Sequence, residues 1–220
     1  MKVLIVPDIH GERHLLPTLS EIDSVDKVVF LGDYLDSFYV KGAEQLEVLQ
    51  EVIEIKKAHE DKVNLLIGNH ELHYIYGRYI CSGYNKEFAA AFQFLLQDNR
   101  KLFQYCFMYG KHLFTHAGVD LRLLKALKTK HPNYEEDGYN LEYMLNNSGI
   151  RELYYIGADC GGVDPYGGIF WIRPWSIKLP KEYIQHVGHT VNVHPSYFNP
   201  LINYYDGNGK QIIQIDGEGV

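Results

Sequence analysis

Cysteine is scarce in this sequence, and its scarcity excludes two classes of protein. The three cysteines are Cys81, Cys106 and Cys160. An odd, scattered set makes no paired disulfide framework and no Cys-x-x-Cys site for zinc or redox exchange. A reducing compartment is therefore expected, and with it a cytoplasmic protein. Positive charge is also short: 21 Lys and Arg stand against 28 Asp and Glu, a formal net charge of -7. Such a balance argues against general affinity for nucleic-acid backbone or an anionic membrane. It leaves room for an anionic substrate, because bound metal ions reverse the sign locally. Long apolar runs are missing too, since no stretch approaches the roughly 18 to 20 residues that span a bilayer. The opening run Val3 to Val6 meets an acidic motif too soon for a secretory signal.

What is present suits a folded enzyme-sized domain. The chain has 220 residues, 46% of them hydrophobic and 22% charged, enough for one domain over residues 1–220 with a well-buried core. Tyrosine is abundant, at 18 residues, and most are expected as amphipathic fillers of sheet faces. Val3 to Val6, Lys27 to Leu31 and Val63 to Ile67 read as strands buried on both faces. Arg13 to Ser20 reads as a short helix touched by Pro17. Gly42 to Glu60 mixes apolar and charged positions near the helical period, and Asn85 to Asn99, Leu121 to Lys130 and Leu141 to Asn147 read as further helices. Leu102 to Met108 and His112 to Thr115 are predicted as a hairpin about Tyr109-Gly110-Lys111. Tyr183 to Val187 reads as another strand, and Leu201 to Tyr205 with Gln211 to Ile215 as a closing hairpin. Leu72 to Tyr84 and the glycine-rich Gly157 to Gly168 read as loops, the first facing substrate.

Five apolar, strand-like runs end in Asp, Asn or His. The turns are Pro7-Asp8-Ile9-His10-Gly11, Gly32-Asp33-Tyr34-Leu35-Asp36, Gly68-Asn69-His70-Glu71, Thr115-His116-Ala117-Gly118 and Gly188-His189-Thr190. Polar residues at the carboxyl ends of strands mark a site along the strand tips of an α/β sheet. Any one motif has a bland explanation, Asp8 as a helix cap and His10 as a loop histidine, but five in one chain do not share one. Oxygen and imidazole ligands without thiolate suit manganese, iron or zinc. Two such ions about 3.5 to 4 Å apart neutralise a phosphate ester and lower the pKa of a shared water.

Taken in this order and spacing, the motifs resemble those of the calcineurin-like metallophosphoesterase superfamily. They are most similar to its phosphoprotein phosphatase branch, including small bacterial and phage members, from Asp8 to Thr190. The resemblance implies a four-layer α/β/β/α sandwich with mixed sheets, and metal-dependent hydrolysis of phosphomonoesters. By motif, Asp8 and His10 bind the first ion, Asp33 bridges, and Asn69, His116 and His189 complete the second. The implied cofactors are two divalent ions, manganese first, with iron or zinc as alternatives. Val191 stands where the wider superfamily has a second histidine, so the first ion keeps three protein ligands. His70 resembles the general acid, Asp36 the carboxylate that orients it, and Arg173, in Trp-x-Arg, a bidentate phosphate clamp.

One departure bears on substrate. Relatives commonly follow Gly-Asp-x-x-Asp with Arg-Gly, a second phosphate clamp, where this chain reads Ser37-Phe38. Either Arg173 works alone, or another cation, Arg78 after Gly-Asn-His-Glu first and Arg13 as another, takes the place, or the substrate is not the usual phosphoprotein. The favoured substrate is a phosphoserine or phosphothreonine protein or a small phosphoester. A dinucleoside polyphosphate or other nucleotide is the alternative, and a non-catalytic binding module on the same scaffold is a third reading. No nucleic-acid or membrane partner is expected. Of the remaining histidines, His73 is expected at the rim of the site, His112 and His186 in strands, and His194 in a structural or substrate-facing place.

Overall fold

The computed structural model describes residues 1–77, 79–133, 140–205 and 209–216. Its elements run β1 (Lys2–Val6), α1 (Leu19–Asp23), β2 (Lys27–Phe30), α2 (Gly42–Ala58), β3 (Val63–Leu66), α3 (Asn69–Tyr76) and α4 (Ala89–Asp98). Then come β4 (Phe103–Gln104), β5 (Cys106–Tyr109), β6 (His112–Thr115), α5 (Leu121–Lys130), α6 (Leu141–Asn147), β7 (Ile184–Val187), β8 (Ile202–Tyr204) and β9 (Gln211–Gln214). They form two compact units, Met1–Gln104 with β9, and Tyr105–Tyr205. Each unit carries one mixed sheet, and six α-helices are divided between them among the described residues. Arg78 lies outside the described residues.

The sheet of the first unit has the order β4-β3-β2-β1-β9. Its first four strands are parallel, and β9 joins antiparallel to β1, with Val3 opposite Ile213. Parallel strands need cover on both faces, which explains their unbroken apolar runs; Val3, Ile5, Val28, Val29, Leu65 and Leu66 are all fully buried. Helix α2 contributes the buried stripe Val48, Leu49, Val52 and Ile53. Helix α1 starts later than expected, because Thr18 caps it by accepting the Glu21 N–H while Glu21 returns the bond to the Thr18 N–H. Helix α3 occupies the start of the segment expected as a loop from Leu72. It ends at Gly77, whose φ of 67° is the left-handed stop that glycine allows.

In the second unit the order is β5-β6-β7-β8. β5 and β6 form the expected hairpin about Gly110, and β6, β7 and β8 are parallel. Asp120 caps α5 by accepting the Arg122 N–H, and Asn140 caps α6 by accepting the Tyr143 N–H.

Two strand expectations are corrected. The single strand Leu102 to Met108 divides, β4 pairing with β3 and β5 with β6. The break falls at Tyr105, whose N–H leaves the ladder to donate to Asn146 Oδ1 at 2.7 Å. The closing hairpin does not form, because β8 lies parallel to β7 while β9 lies antiparallel to β1. Each tail strand completes the edge of a different sheet, which buries more backbone than a two-stranded ribbon could. No helix among the described residues is long and apolar enough to cross a membrane.

Candidate active site

In the first unit β1, β2 and β3 end just before Asp8, Asp33 and Asn69. Two backbone turns interlock there. The Asp33 carbonyl accepts the N–H groups of Ile9 and His10 at 3.1 and 2.9 Å, and the Tyr34 carbonyl accepts that of Gly11 at 2.8 Å. The Asp33 turn meets the third turn so closely that a Cβ on Gly68 would lie 2.1 Å from Asp33 Oδ1. His10, Asp33 and Asp36 all have positive φ, at 41°, 53° and 66°, a backbone strain that the surrounding hydrogen bonds hold in place. Asp8 and Asn69 are buried beside these turns, and Asp33 is only 2% exposed.

The side chains are oriented as sharply as the backbone. His10 Nδ1 donates to the Leu35 carbonyl at 2.6 Å, which settles its tautomer and leaves Nε2 as the lone-pair nitrogen, 3.9 Å from Asp33 Oδ2. Asp33 Oδ1 accepts the His70 N–H at 3.0 Å. Asn69 Nδ2 donates to Cys81 Sγ at 3.4 Å, which turns the amide with its nitrogen toward the sulfur. One ligand atom each from His10, Asp33 and His70 lies within 4.8 Å of the other two. A buried carboxylate and an imidazole fixed from its far nitrogen are donors that fit a divalent cation.

His70 faces two carboxylates. Its Nδ1 donates to Asp36 Oδ2 at 2.9 Å, and its Nε2 is 4.0 Å from Asp33 Oδ2. Burial works against its charged form, but Asp33 and then Asp36 outweigh that and raise its pKa to about 9. Burial likewise works to raise Asp36, yet the hydrogen bonds of His70, then His73, then Tyr74 hold it below the usual carboxylate range.

Two of these neighbours hold places that the sequence did not give them. His73 is not at the rim but buried, 4% exposed, with Nε2 2.9 Å from Asp36 Oδ2 but without the alignment of a hydrogen bond. Glu71, fully buried, accepts the N–H groups of Asp33, Tyr34 and Gly68 at 2.9, 2.8 and 2.9 Å, tying the second turn to the third. Burial, then the Asp33 charge, push its pKa up. Its position three residues into α3, after Gly68, is the spacing of a helix-start carboxylate and was legible as such.

The second unit holds the other predicted residues. His116 follows β6 and is fully buried; His189 follows β7 with φ 65°. His116 Nε2 and His189 Nδ1 are 3.2 Å apart. Arg173 Nη1 donates to the His189 carbonyl and to Thr190 Oγ1, both at 3.1 Å, and its Nε to Cys160 Sγ at 3.2 Å. Nη2 is the arm without a protein acceptor among the described residues. The Cys160 thiol in turn donates to the Trp171 carbonyl at 3.2 Å.

Residues 1–191 match a family described as calcineurin-like phosphoesterase. The structure is similar to a cold-active protein-tyrosine phosphatase from a psychrophilic Shewanella species, with TM-score 0.60 and 16% identity over 96% of this chain and 74% of that one. It is also similar to a protein serine/threonine phosphatase from Saccharomyces cerevisiae, with TM-score 0.50 and 14% identity over 87% of this chain and 62% of that one. At these identities the likeness establishes the fold alone.

Proposed function

Because the chain belongs to the calcineurin-like phosphoesterase family of metal-dependent hydrolases, we propose that it removes phosphate from phosphoserine or phosphothreonine in proteins, as one catalytic domain over residues 1–220. On this reading Asp8, His10 and Asp33 serve one divalent ion, and Asp33, Asn69, His116 and His189 the other. Manganese is the first candidate, then iron or zinc. When bound, the ions supply Lewis-acid neutralisation of the phosphate and a more acidic water.

The chain's own part is positioning and proton transfer. Asp36 holds His70 by Nδ1, and the imidazolium keeps a proton at Nε2 for the departing alkoxide oxygen, which is too basic to leave unprotonated. Arg173, anchored through Nε and Nη1, offers Nη2 to a phosphate oxygen. The unpaired cysteines support a cytoplasmic setting.

The observation that carries this reading is the two-sided placement of His70 between Asp36 and Asp33. A binding module that had given up catalysis would have no use for an acid fixed in this way. Phe38 and Tyr39, 71% and 92% exposed just after Asp36, favour a second reading. In it the substrate is a nucleotide or dinucleoside polyphosphate whose base stacks on them. The test is a panel of phosphopeptides, nucleotides, diadenosine polyphosphates and para-nitrophenyl phosphate, assayed with manganese. Phosphopeptides are expected to turn over fastest, and Asp33→Asn and His70→Asn to abolish turnover of phosphopeptides. A nucleotide leading the panel favours the second reading, and no turnover with manganese, iron or zinc sinks both.

A further inference from the structure

Resting on the reading of His70 as the acid, we propose that His73 is a positioning residue that clamps the Asp36 carboxylate in the orientation His70 requires. His70 and His73 are three residues apart on α3, so their side chains share one face of the helix. Both meet the same oxygen: His70 Nδ1 and His73 Nε2 are each 2.9 Å from Asp36 Oδ2.

The tautomer of His73 follows from its other side. Its Nδ1 accepts the Cys81 N–H at 3.4 Å, so in the neutral ring the proton sits on Nε2, facing the carboxylate. The clamp therefore needs no charge on His73. The approach to Oδ2 is bent, which means that packing and not the hydrogen bond sets the ring. Tyr74 and Tyr84 hold it edge-on, with ring centroids 4.1 and 4.9 Å away.

The second oxygen of Asp36 is held as well. Tyr74 Oη donates to Oδ1 and itself accepts the Asn85 N–H at 3.1 Å. Between these two anchor points the chain passes close to Asp36, since a Cβ on Gly83 would lie 2.5 Å from the Asp36 carbonyl oxygen. The segment from Cys81 to Asn85 thus packs against the backbone and Cβ of Asp36. A side chain needed only to fill this space would be apolar, because an imidazole in a buried position costs solvation. What His73 adds is a polar nitrogen 2.9 Å from Oδ2, a close electrostatic contact without hydrogen-bond alignment, which resists rotation of the carboxylate away from His70.

Loss of that edge should weaken acid catalysis without weakening phosphate binding. The experiment compares His73→Phe, which keeps the bulk, with His73→Gln, which restores an N–H donor. The substrates are a phosphoserine peptide, whose alkoxide must be protonated, and para-nitrophenyl phosphate, whose phenolate leaves without it. His73→Phe is expected to lower kcat on the peptide by about 10-fold or more, with KM unchanged and para-nitrophenyl phosphate turnover little altered. His73→Gln is expected to recover most of the loss. Equal losses on both substrates, or none on either, overturn the proposal. Independently, the ring-nitrogen spectrum of the metal-free protein is expected to show His73 protonated at Nε2, and protonation at Nδ1 overturns the clamp whatever the activity. A wild-type protein that hydrolyses neither ester would remove the phosphoprotein reading, while the tautomer would still decide the clamp.

Discussion

The backbone N–H, the carbonyl and Oδ1 of Asp33 are each assigned to a task. Its N–H goes to Glu71, its carbonyl accepts the first turn, and its Oδ1 accepts the His70 N–H, leaving Oδ2 on the side of His10 and His70. Ser37, where relatives carry an arginine, has a different task. Its hydroxyl accepts the N–H groups of Tyr39 and Val40 at 3.2 and 3.0 Å, so it builds a turn and leaves phosphate to other residues. Arg173, whose Nη2 has no protein acceptor among the described residues, is a candidate in its place. Arg173→Ala is expected to lower kcat/KM by about 100-fold, the typical loss for one transition-state donor. Steady-state kinetics on para-nitrophenyl phosphate checks this, and a change below about 3-fold would remove the residue from the mechanism. The sequence pointed to Arg173 by a three-residue motif; it held no sign of Cys160, 13 residues upstream, as the group that fixes Nε.

Helix α3 is the element that connects the motifs. It supplies Asn69 and His70 at its start, Glu71 to the second turn, and His73 and Tyr74 to Asp36. Its aromatic composition and the glycine that follows concealed a helix only two turns long, so residues from Leu72 onward read as loop. Once the helix is recognised, the spacing of His70 and His73 becomes meaningful. Glu71→Ala would strand three buried N–H groups, each worth about 1 to 3 kcal/mol. The expected loss is roughly 3 kcal/mol or more of stability, read as a melting temperature lower by about 6 °C or more. Calorimetry on the metal-free protein measures it, and an unchanged melting temperature would show that the turns hold without this carboxylate.

Across the whole molecule, stability should carry a pH signature from the sheet of the second unit. His186 lies between His112 and Tyr205, with ring-nitrogen contacts of 3.0 Å to each, and stacks on Phe114. Burial, then the neighbouring His112, lower its pKa from 6.5 to about 3. A histidine buried neutral binds fewer protons folded than unfolded. Its contribution is therefore complete above pH 6.5 and is lost as pH falls from there toward about 3. The slope is at most about 1.4 kcal/mol per pH unit. His186→Phe should flatten the fall in denaturant midpoint between pH 6 and pH 4, and an identical slope in the variant would place the acid sensitivity elsewhere.

The five polar turns and the buried strands before them could be read from the chain as written. Each depends on neighbouring residues, an apolar run and the few polar side chains that end it. Pairings between distant residues could not be read in this way. The division of Leu102 to Met108 between two sheets depends on Asn146 taking the Tyr105 N–H. The separation of the tail strands depends on which sheet edge each one completes. The surroundings of Asp36 come from His70, His73 and Tyr74, 34 to 38 positions later in the chain. Local sequence thus states which polar side chains end each strand, while packing sets their partners, because a hydrogen bond depends on distance in space and takes no account of separation along the chain.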